Sequence, residues 1–250
     1  MTRAGIIRIG VLVGAVAALE AACRAGYVNR QAVIAPSEMV RGAWRVLGTQ
    51  EARGHIAETL TTVSLAFLLS VIAGFAIGVA LHRLPRFRRA VDPLLASYYA
   101  VPTFVFYPVF IVLFGLNRWP LVAIGFLFAV VAVAINTLDG LDRLPPVFMR
   151  TARVLRLSPR QTLLRITVPA IAPWLFTAVK FAVAYSFIGV IAGEFVQAGS
   201  GIGFAIAFAY NSFDNLTMYG LMLLLFAFVC TLNMSLWTWE QKLYARRGGR

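Results

Sequence analysis

The hydrophobic residues of this chain fall into long runs rather than into the short alternating patterns of a soluble protein. A helix needs about 20 apolar residues to cross the hydrocarbon core of a bilayer. Six stretches come close to that length: residues 6–22, 59–81, 93–117, 119–138, 173–196 and 215–239. The pattern predicts an all-α, polytopic membrane protein with about six transmembrane helices, in which residues 1–250 form one transmembrane domain.

Composition supports a membrane location. Hydrophobic residues make up 60% of the chain and charged residues only 13%, which leaves too little polar surface to cover a soluble core. The formal net charge of +13 would suggest nucleic acid or anionic lipid as a partner of a soluble protein. Here the basic residues lie between the apolar runs, where they determine orientation, and no nucleic-acid partner is expected.

The distribution of lysine and arginine predicts that both termini are cytoplasmic. With the N-terminus inside, 16 basic residues lie on the inner side and 6 on the outer side, as the positive-inside rule requires. The inner set is Arg3, Arg8, Arg83, Arg86, Arg88, Arg89, Arg143, Arg150, Arg153, Arg156, Arg160, Arg165, Lys242, Arg246, Arg247 and Arg250. The outer set is Arg24, Arg30, Arg41, Arg45, Arg53 and Arg118.

Two further patterns predict local structure. Pro36-Ser37 followed by spaced apolar residues up to Leu47 predicts a Ser-capped amphipathic helix on the outer membrane surface. Small residues recur at i, i+4, i+8 in the second span and as Gly189 and Gly193 in the fifth. Such faces let helices approach closely in lipid.

The longest inner loop, residues 139–167, has more structure than a simple connector. Its first half has apolar residues at i, i+4, i+7 and basic residues at i, i+3, i+6, namely Phe148, Ala152 and Leu155, and Arg150, Arg153 and Arg156. Ser158-Pro159 then predicts the start of a second helix, because serine caps helices and proline suits the first turn. The loop is expected to dock into a partner protein or to lie on anionic headgroups.

This loop resembles the coupling loop of ABC importer permeases, whose motif reads Glu-Ala-Ala, three residues, Gly, nine residues, Ile, one residue, Leu-Pro. Here Arg150-Thr151-Ala152 stands at the start, Arg156 at the Gly position and Ile166-Thr167-Val168-Pro169 at the end. The spacing is intact, although the Glu, the first Ala, the Gly and the Leu are replaced. The resemblance extends over about residues 36–194 and is greatest to the nitrate, sulfonate and taurine branch.

The resemblance implies a bundle like that of type I ABC importers in a bacterial inner membrane, in contact with lipid and without a cofactor. The implied partners are a second copy of the permease, a cytoplasmic ATP-binding subunit and an external solute-binding protein. ATP hydrolysis is expected elsewhere, because the sequence has no phosphate-binding G-x-x-x-x-G-K-[ST] loop. The residues implied in ATPase coupling are Arg150, Ala152, Arg153, Arg156, Ser158, Ile166 and Pro169.

A second group of residues is a candidate for the translocation pathway: Tyr99, Pro102, Tyr107, Asn136, Lys180 and Glu194. Pro102 interrupts the third span, and a broken helix is tolerated where it lines protein or a cavity. Asn136 is expected to form a hydrogen bond across the bundle. Lys180 either snorkels to the inner headgroups or lines the pathway. Glu194 is either a gate or binding-protein contact, or an interfacial residue solvated at the outer rim.

Two alternative functions remain open. A secondary transporter needs an ion-coupling site near the bilayer midplane, and the central spans offer no carboxylate except Glu194, near one edge. An intramembrane enzyme needs converging catalytic groups, yet His55 and His82 are predicted on opposite sides and no metal site is expected. For an importer, the branch indicates a sulfonate, nitrate or taurine-like anion, or a pyrimidine or flavin vitamin precursor.

Overall fold

A computed structural model describes residues 3–30, 32–197 and 199–247. Arg250, counted above in the inner set, lies outside them. The helices are α1 Arg3–Arg24, α2 Pro36–Leu47, α3 Gln50–Arg83, α4 Pro85–Ser97, α5 Tyr107–Phe114, α6 Trp119–Asp142, α7 Pro146–Val154, α8 Pro159–Thr162, α9 Val168–Ala170, α10 Ala172–Gln197, α11 Ile202–Asn211 and α12 Asn215–Arg247. The described residues contain no strand, which confirms the all-α prediction.

The chain divides into two units. The first comprises the described residues of Met1–Glu58 and Glu194–Ser235, and the second comprises those of Thr59–Gly193 and Leu236–Arg250. The first unit therefore contains α1, α2 and α11, and the second contains the helices from α4 to α9.

The core of the second unit forms around α6. Ala129 and Val133 of α6 pack with Ala178 and Ala182 of α10 in a buried cluster. The small-residue faces make this packing possible. A Cβ at Gly74 would lie 2.6 Å from the Cβ of Val133, and a Cβ at Gly189 would lie 2.8 Å from the Cα of Gly125. Both predicted faces therefore serve close helix packing against α6, as the spacing indicates.

Four described helices are long and apolar enough to cross a bilayer, namely α3, α6, α10 and α12. The third predicted span, residues 93–117, is not one helix. It corresponds to the segments Pro85–Ala100 and Thr103–Phe114, which are bent by 93° at the break. Pro102 lies in that break and has an extended backbone, as proline disfavours the continuation of a helix. The first predicted span, residues 6–22, falls within α1, which is not among the described helices that meet this test.

The predicted capping of α2 by Ser37 is wrong. The N-cap residue is Ala35, and its side chain makes no capping hydrogen bond. The backbone N–H of Ser37 instead donates to Glu20 Oε2 at 2.9 Å, and its hydroxyl donates to Glu20 Oε1 at 2.7 Å. A carboxylate is favoured at the positive end of a helix. Glu20, near the end of α1, therefore caps α2 from another element.

Candidate functional site

The candidate coupling loop is a helix–turn–helix in the second unit. In α7 the side chain of Ala152 is buried, whereas Val147, Val154 and Leu155 next to it are exposed. The arginines Arg150 and Arg153 are exposed on the same short helix. This part of the loop thus presents apolar and basic side chains outward, and within α7 the small Ala152 is the position that packs inward.

The end of α7 is a Schellman turn, formed without glycine. The backbone N–H of Leu157 donates to the Ala152 carbonyl at 3.0 Å, and that of Arg156 donates to the Arg153 carbonyl at 3.0 Å. This pair of bonds requires a left-handed residue, which is usually glycine. Arg156 occupies that position with φ of 48°. Arg156, at the position of the motif's glycine, therefore adopts a backbone conformation that usually favours glycine.

The predicted start of the second helix at Ser158 is confirmed. The Ser158 hydroxyl accepts a hydrogen bond from the backbone N–H of Gln161, and the Gln161 side chain accepts one from the backbone N–H of Ser158. This reciprocal pair is a capping box. Pro159 occupies the first turn of α8. The turn between α7 and α8 is thus fixed by hydrogen bonds on both sides.

After α8 the chain continues through a π-helical turn, Leu163–Thr167, into α9. Ile166 in this turn is half-buried and Pro169 in α9 is exposed. Ile171, two residues after Pro169, is fully buried. A Cβ at Gly140 would lie 2.9 Å from the Cβ of Trp174, so the end of α6 packs tightly on the start of α10. Both ends of the loop are therefore anchored to long helices.

An ion-pair cluster lies where α6 enters the loop. Asp142 Oδ2 accepts from Arg88 Nη1 at 2.6 Å, and Asp142 Oδ1 lies 2.9 Å from His82 Nδ1. Both carboxylate oxygens are therefore engaged, one by the end of α3 and one by α4. Sequence reasoning missed Asp142 because its partners lie 54 and 60 residues away. The opposite charges near three helix ends were the available signal.

The candidate pathway residues belong to several elements: Tyr99 and Pro102 lie at the break of the third span, Tyr107 begins α5, Asn136 lies in α6, and Lys180 and Glu194 lie in α10. Tyr99 is half exposed beside the break in the third span, and its ring lies 5.6 Å from that of Tyr185. Pro102 is exposed in the same break, whereas Tyr107 is buried. The Asn136 amide donates to the Ala132 carbonyl at 2.8 Å, one turn earlier on α6. The expected bond of Asn136 across the bundle is thus replaced by one within its own helix.

Lys180 forms an ion pair that the sequence did not suggest. Its ammonium group donates to Glu240 Oε2 at 2.8 Å, and the side chains are 32% and 12% exposed. The rings of Phe176 and Trp239 meet edge to face beside the pair, 5.3 Å apart. The predicted sixth span ended at Trp239, one residue before Glu240, and so the partner was overlooked. Lys180 and Glu240 join α10 to the last part of α12.

Glu194 is buried, and its description as a solvated rim residue is wrong. Only 1% of its surface is exposed. Its Oε2 accepts a hydrogen bond from the backbone N–H of Gly203 at 3.0 Å, so its carboxylate caps the start of α11. Gly201 has φ of 105°, and a Cβ there would lie 2.2 Å from the carboxylate carbon. The glycine thus provides the space in which the carboxylate is held.

His55 supports the same turn. Its Nδ1 accepts a hydrogen bond from the backbone N–H of Gly201 at 3.1 Å, and its ring lies 5.8 Å from that of Phe204 in α11. Glu194 and His55 therefore fix the chain before α11 from two sides. A glycine pair seven residues after a buried carboxylate was the signal that could have revealed this cluster. Within the described ranges, no three His, Cys, Asp or Glu side chains are grouped for a metal ion.

Comparison with known proteins agrees with this architecture. The family described as the binding-protein-dependent transport system inner membrane component matches residues 66–247. The nitrate import permease protein NrtB of Leptolyngbya laminosa is 30% identical over 196 residues, which are 75% of this chain and 70% of that protein. The formylaminopyrimidine transport permease protein ThiX of Halalkalibacterium halodurans is 27% identical over 195 residues, 75% of this chain and 78% of that protein.

The taurine transport system permease protein TauC of Escherichia coli is 27% identical over 152 residues, and these cover 61% of this chain and 55% of that protein. Among solved structures, a chain of the inward-facing MetNI methionine ABC transporter superposes with a TM-score of 0.61 at 18% identity. The match covers 82% of this chain and 96% of that one, and it shows a shared fold.

Proposed function

This chain belongs to the family of binding-protein-dependent transport system inner membrane components, and from that membership we propose that its loop 139–167 docks on a separate cytoplasmic ATPase. As a member of the family it is a multi-pass permease subunit of an ABC importer and not an enzyme. The predictions of family, fold class and transport function are therefore confirmed. The secondary-transporter and intramembrane-enzyme alternatives are set aside.

The observation that carries the docking proposal is the exposed side of α7. An apolar helix face beside basic side chains fits a groove in a partner, as in other helix-in-groove interfaces. Val147, Val154 and Leu155 supply the apolar contacts, and Arg150 and Arg153 supply the charge. A loop that only rested on headgroups would not need two fixed turns. The Schellman turn and the capping box give this surface one defined shape.

The anchors of the loop support a role in transmitting movement. Asp142 links its base to α3 and α4, and the close contact of Gly140 with Trp174 links α6 to α10. A displacement of α7 by the ATPase would move these helices together, because packed interfaces shift as rigid bodies rather than deform. Half-exposed Tyr99 and Pro102, at the break of the third span, are proposed to line the path opened by that movement.

We propose an arrangement in the membrane that is supported by charge and by exposed apolar surface. The excess of basic residues on one side supports cytoplasmic termini and a cytoplasmic coupling loop. We propose that lipid and a second copy of the chain cover the exposed apolar side chains of α5 and α12, such as Val112 and Phe226. A solute-binding protein delivers a small solute to the opposite side. The names of the relatives suggest an anion or a pyrimidine precursor as that solute.

Site-specific photo-cross-linking tests the docking. A benzoylphenylalanine replaces Leu155, which is 61% exposed on the loop, or, as a matched control, Leu116, an exposed leucine on the predicted outer side. The ATPase is co-expressed with each variant and identified by mass spectrometry. Cross-linking from position 155 alone is expected. Absence of a 155 product, or equal yield from 116, would refute docking through this loop.

A further inference from the structure

The first unit contains a cavity of about 500 Å³, which the coupling function does not use. It is an open cavity lined by the end of α2, the start of α3, α11 and the start of α12. The side chains that define its chemistry are Arg45, Glu51, His55, Phe204, Phe208 and Asp214. In the orientation proposed above from the basic residues, these elements lie on the outer side of the membrane, where a solute arrives.

One wall of the cavity is aromatic. Phe204 lies 5.8 Å from the His55 ring and 6.0 Å from the ring of Phe208, measured between ring centroids. Phe208 belongs to the largely apolar helix α11, and 62% of its surface is exposed. Aromatic faces at this spacing favour a second flat ring stacked or tilted on them. The wall therefore suits an aromatic or heteroaromatic solute.

The polar groups define which atoms such a ring needs. His55 Nδ1 accepts the hydrogen bond from Gly201, so the proton of the neutral imidazole is on Nε2. The Nε2–H of this ring, which belongs to the cavity lining, is a donor of the kind that a heterocyclic nitrogen or a carbonyl oxygen accepts from. Glu51 and Asp214 are acceptors for exocyclic amino groups.

The charges in the cavity do not favour an anion. Arg45 is the one cationic side chain in the lining, against the two carboxylates of Glu51 and Asp214. A hydrogen bond from Thr217 lowers the pKa of Asp214, so this carboxylate is ionised at neutral pH. Two carboxylates against one guanidinium give the lining of the cavity a net negative charge. Nitrate or a sulfonate would meet repulsion there, whereas a neutral or protonated base would not.

We propose that this cavity receives the transported solute at the outer face, and that the solute is a neutral or cationic nitrogen heterocycle rather than an inorganic or sulfonate anion. The proposal rests on the permease function above. Glu194 acts in it as a positioning residue, because it fixes the turn that leads into α11 and so holds the aromatic wall. His55 both supports that turn and lines the cavity.

The test uses the full chain in lipid nanodiscs and saturation-transfer NMR with 4-aminopyrimidine as the probe. A transfer signal is expected that excess nitrate or taurine does not reduce. Phe208→Ala should lower the signal by at least about threefold, because it removes the stacking surface. The matched control Phe226→Ala removes a ring that is 67% exposed on α12 outside the cavity, and should leave the signal unchanged.

A charge variant makes the test independent of stacking. Glu51 is exposed, so Glu51→Lys should leave the fold intact while making the cavity net positive. Taurine and nitrate should then compete with the probe. Three results would each overturn the proposal. They are the absence of a probe signal in the unsubstituted chain, an unchanged signal in Phe208→Ala, and displacement of the probe by nitrate in the unsubstituted chain.

The two proposals fail separately. If the probe does not bind but position 155 still cross-links to the ATPase, only the cavity assignment is wrong. If the probe binds and the cross-link is absent, the docking proposal is wrong, and the cavity then remains a ligand site of a chain coupled in another way.

Discussion

Replacing Gly201 by alanine tests the buried carboxylate cluster most sharply. The backbone there has φ of 105° and ψ of 167°, a region that is essentially restricted to glycine and costs other residues about 1–3 kcal/mol. The new Cβ would also lie 2.2 Å from Glu194 Cδ and 2.3 Å from Oε1. The carboxylate must therefore move away from Gly203, and a hydrogen bond to a charged group contributes about 1.5–3 kcal/mol.

The two effects add to about 2.5–6 kcal/mol, from which the smaller unfolded-state entropy of alanine removes about 0.4–1 kcal/mol. A loss near 3 kcal/mol corresponds to an apparent Tm about 6–12 °C lower for a chain of this size. The assay is thermal unfolding of the purified chain in one detergent at one scan rate. Gly199→Ala is the matched control, because a Cβ there meets no atom within 4 Å, and its Tm should change by less than about 2 °C.

A double-substitution cycle isolates the clash from the backbone strain. In a Glu194→Ala background the carboxylate is absent, so Gly201→Ala should cost only the backbone strain of about 1–3 kcal/mol. The reasoning is refuted if Gly201→Ala is as harmless as Gly199→Ala. It is also refuted if the cost of Gly201→Ala is the same with and without the Glu194 carboxylate.

Three further predictions concern the second unit. Arg156→Gly should leave hydrogen exchange of the α7–α8 turn unchanged or make it slower, because left-handed backbone costs a non-glycine residue about 1 kcal/mol. Arg156→Val should make the exchange faster. Equal exchange rates in the two variants would exclude a strained turn. Glu240→Leu should lower the Tm by several degrees, because Lys180 loses its partner. Adding Lys180→Met should restore part of the lost Tm. If the two substitutions instead lower the Tm additively, a paired role is contradicted. Asp142→Asn should lower the free energy of unfolding by only about 1 kcal/mol, because the pair of Asp142 with Arg88 is partly exposed. A decrease above about 3 kcal/mol in urea unfolding would disprove this prediction.

The long helices and their close packing were predictable because they depend on local composition. Apolar length identified α3, α6, α10 and α12, and the spacing of Gly74 and the other small residues identified the faces that pack on α6. The turn at Ser158 was predictable for the same reason, since its capping box spans only three residues.

The partners in the long-range polar contacts could not be identified from the sequence, because these contacts join residues distant in sequence. His55 meets Gly201 across 146 residues, and Lys180 meets Glu240 across 60. A charge pattern cannot choose among many distant partners without the packing that brings them together. Ser37 shows the same limit. Its residue type predicted a helix cap, but the carboxylate of Glu20 caps α2 instead, and the Ser37 hydroxyl donates a hydrogen bond to it.

ATP hydrolysis by the reconstituted transporter tests the central claim most directly. The chain is placed in nanodiscs with its ATPase subunit, and hydrolysis is measured with and without the solute-loaded binding protein. The binding protein should stimulate hydrolysis when the loop is intact and not when Ala152→Asp puts a charge on the buried side of α7. Stimulation that is equal in the variant, or hydrolysis unaffected by the presence of this chain, would contradict the account.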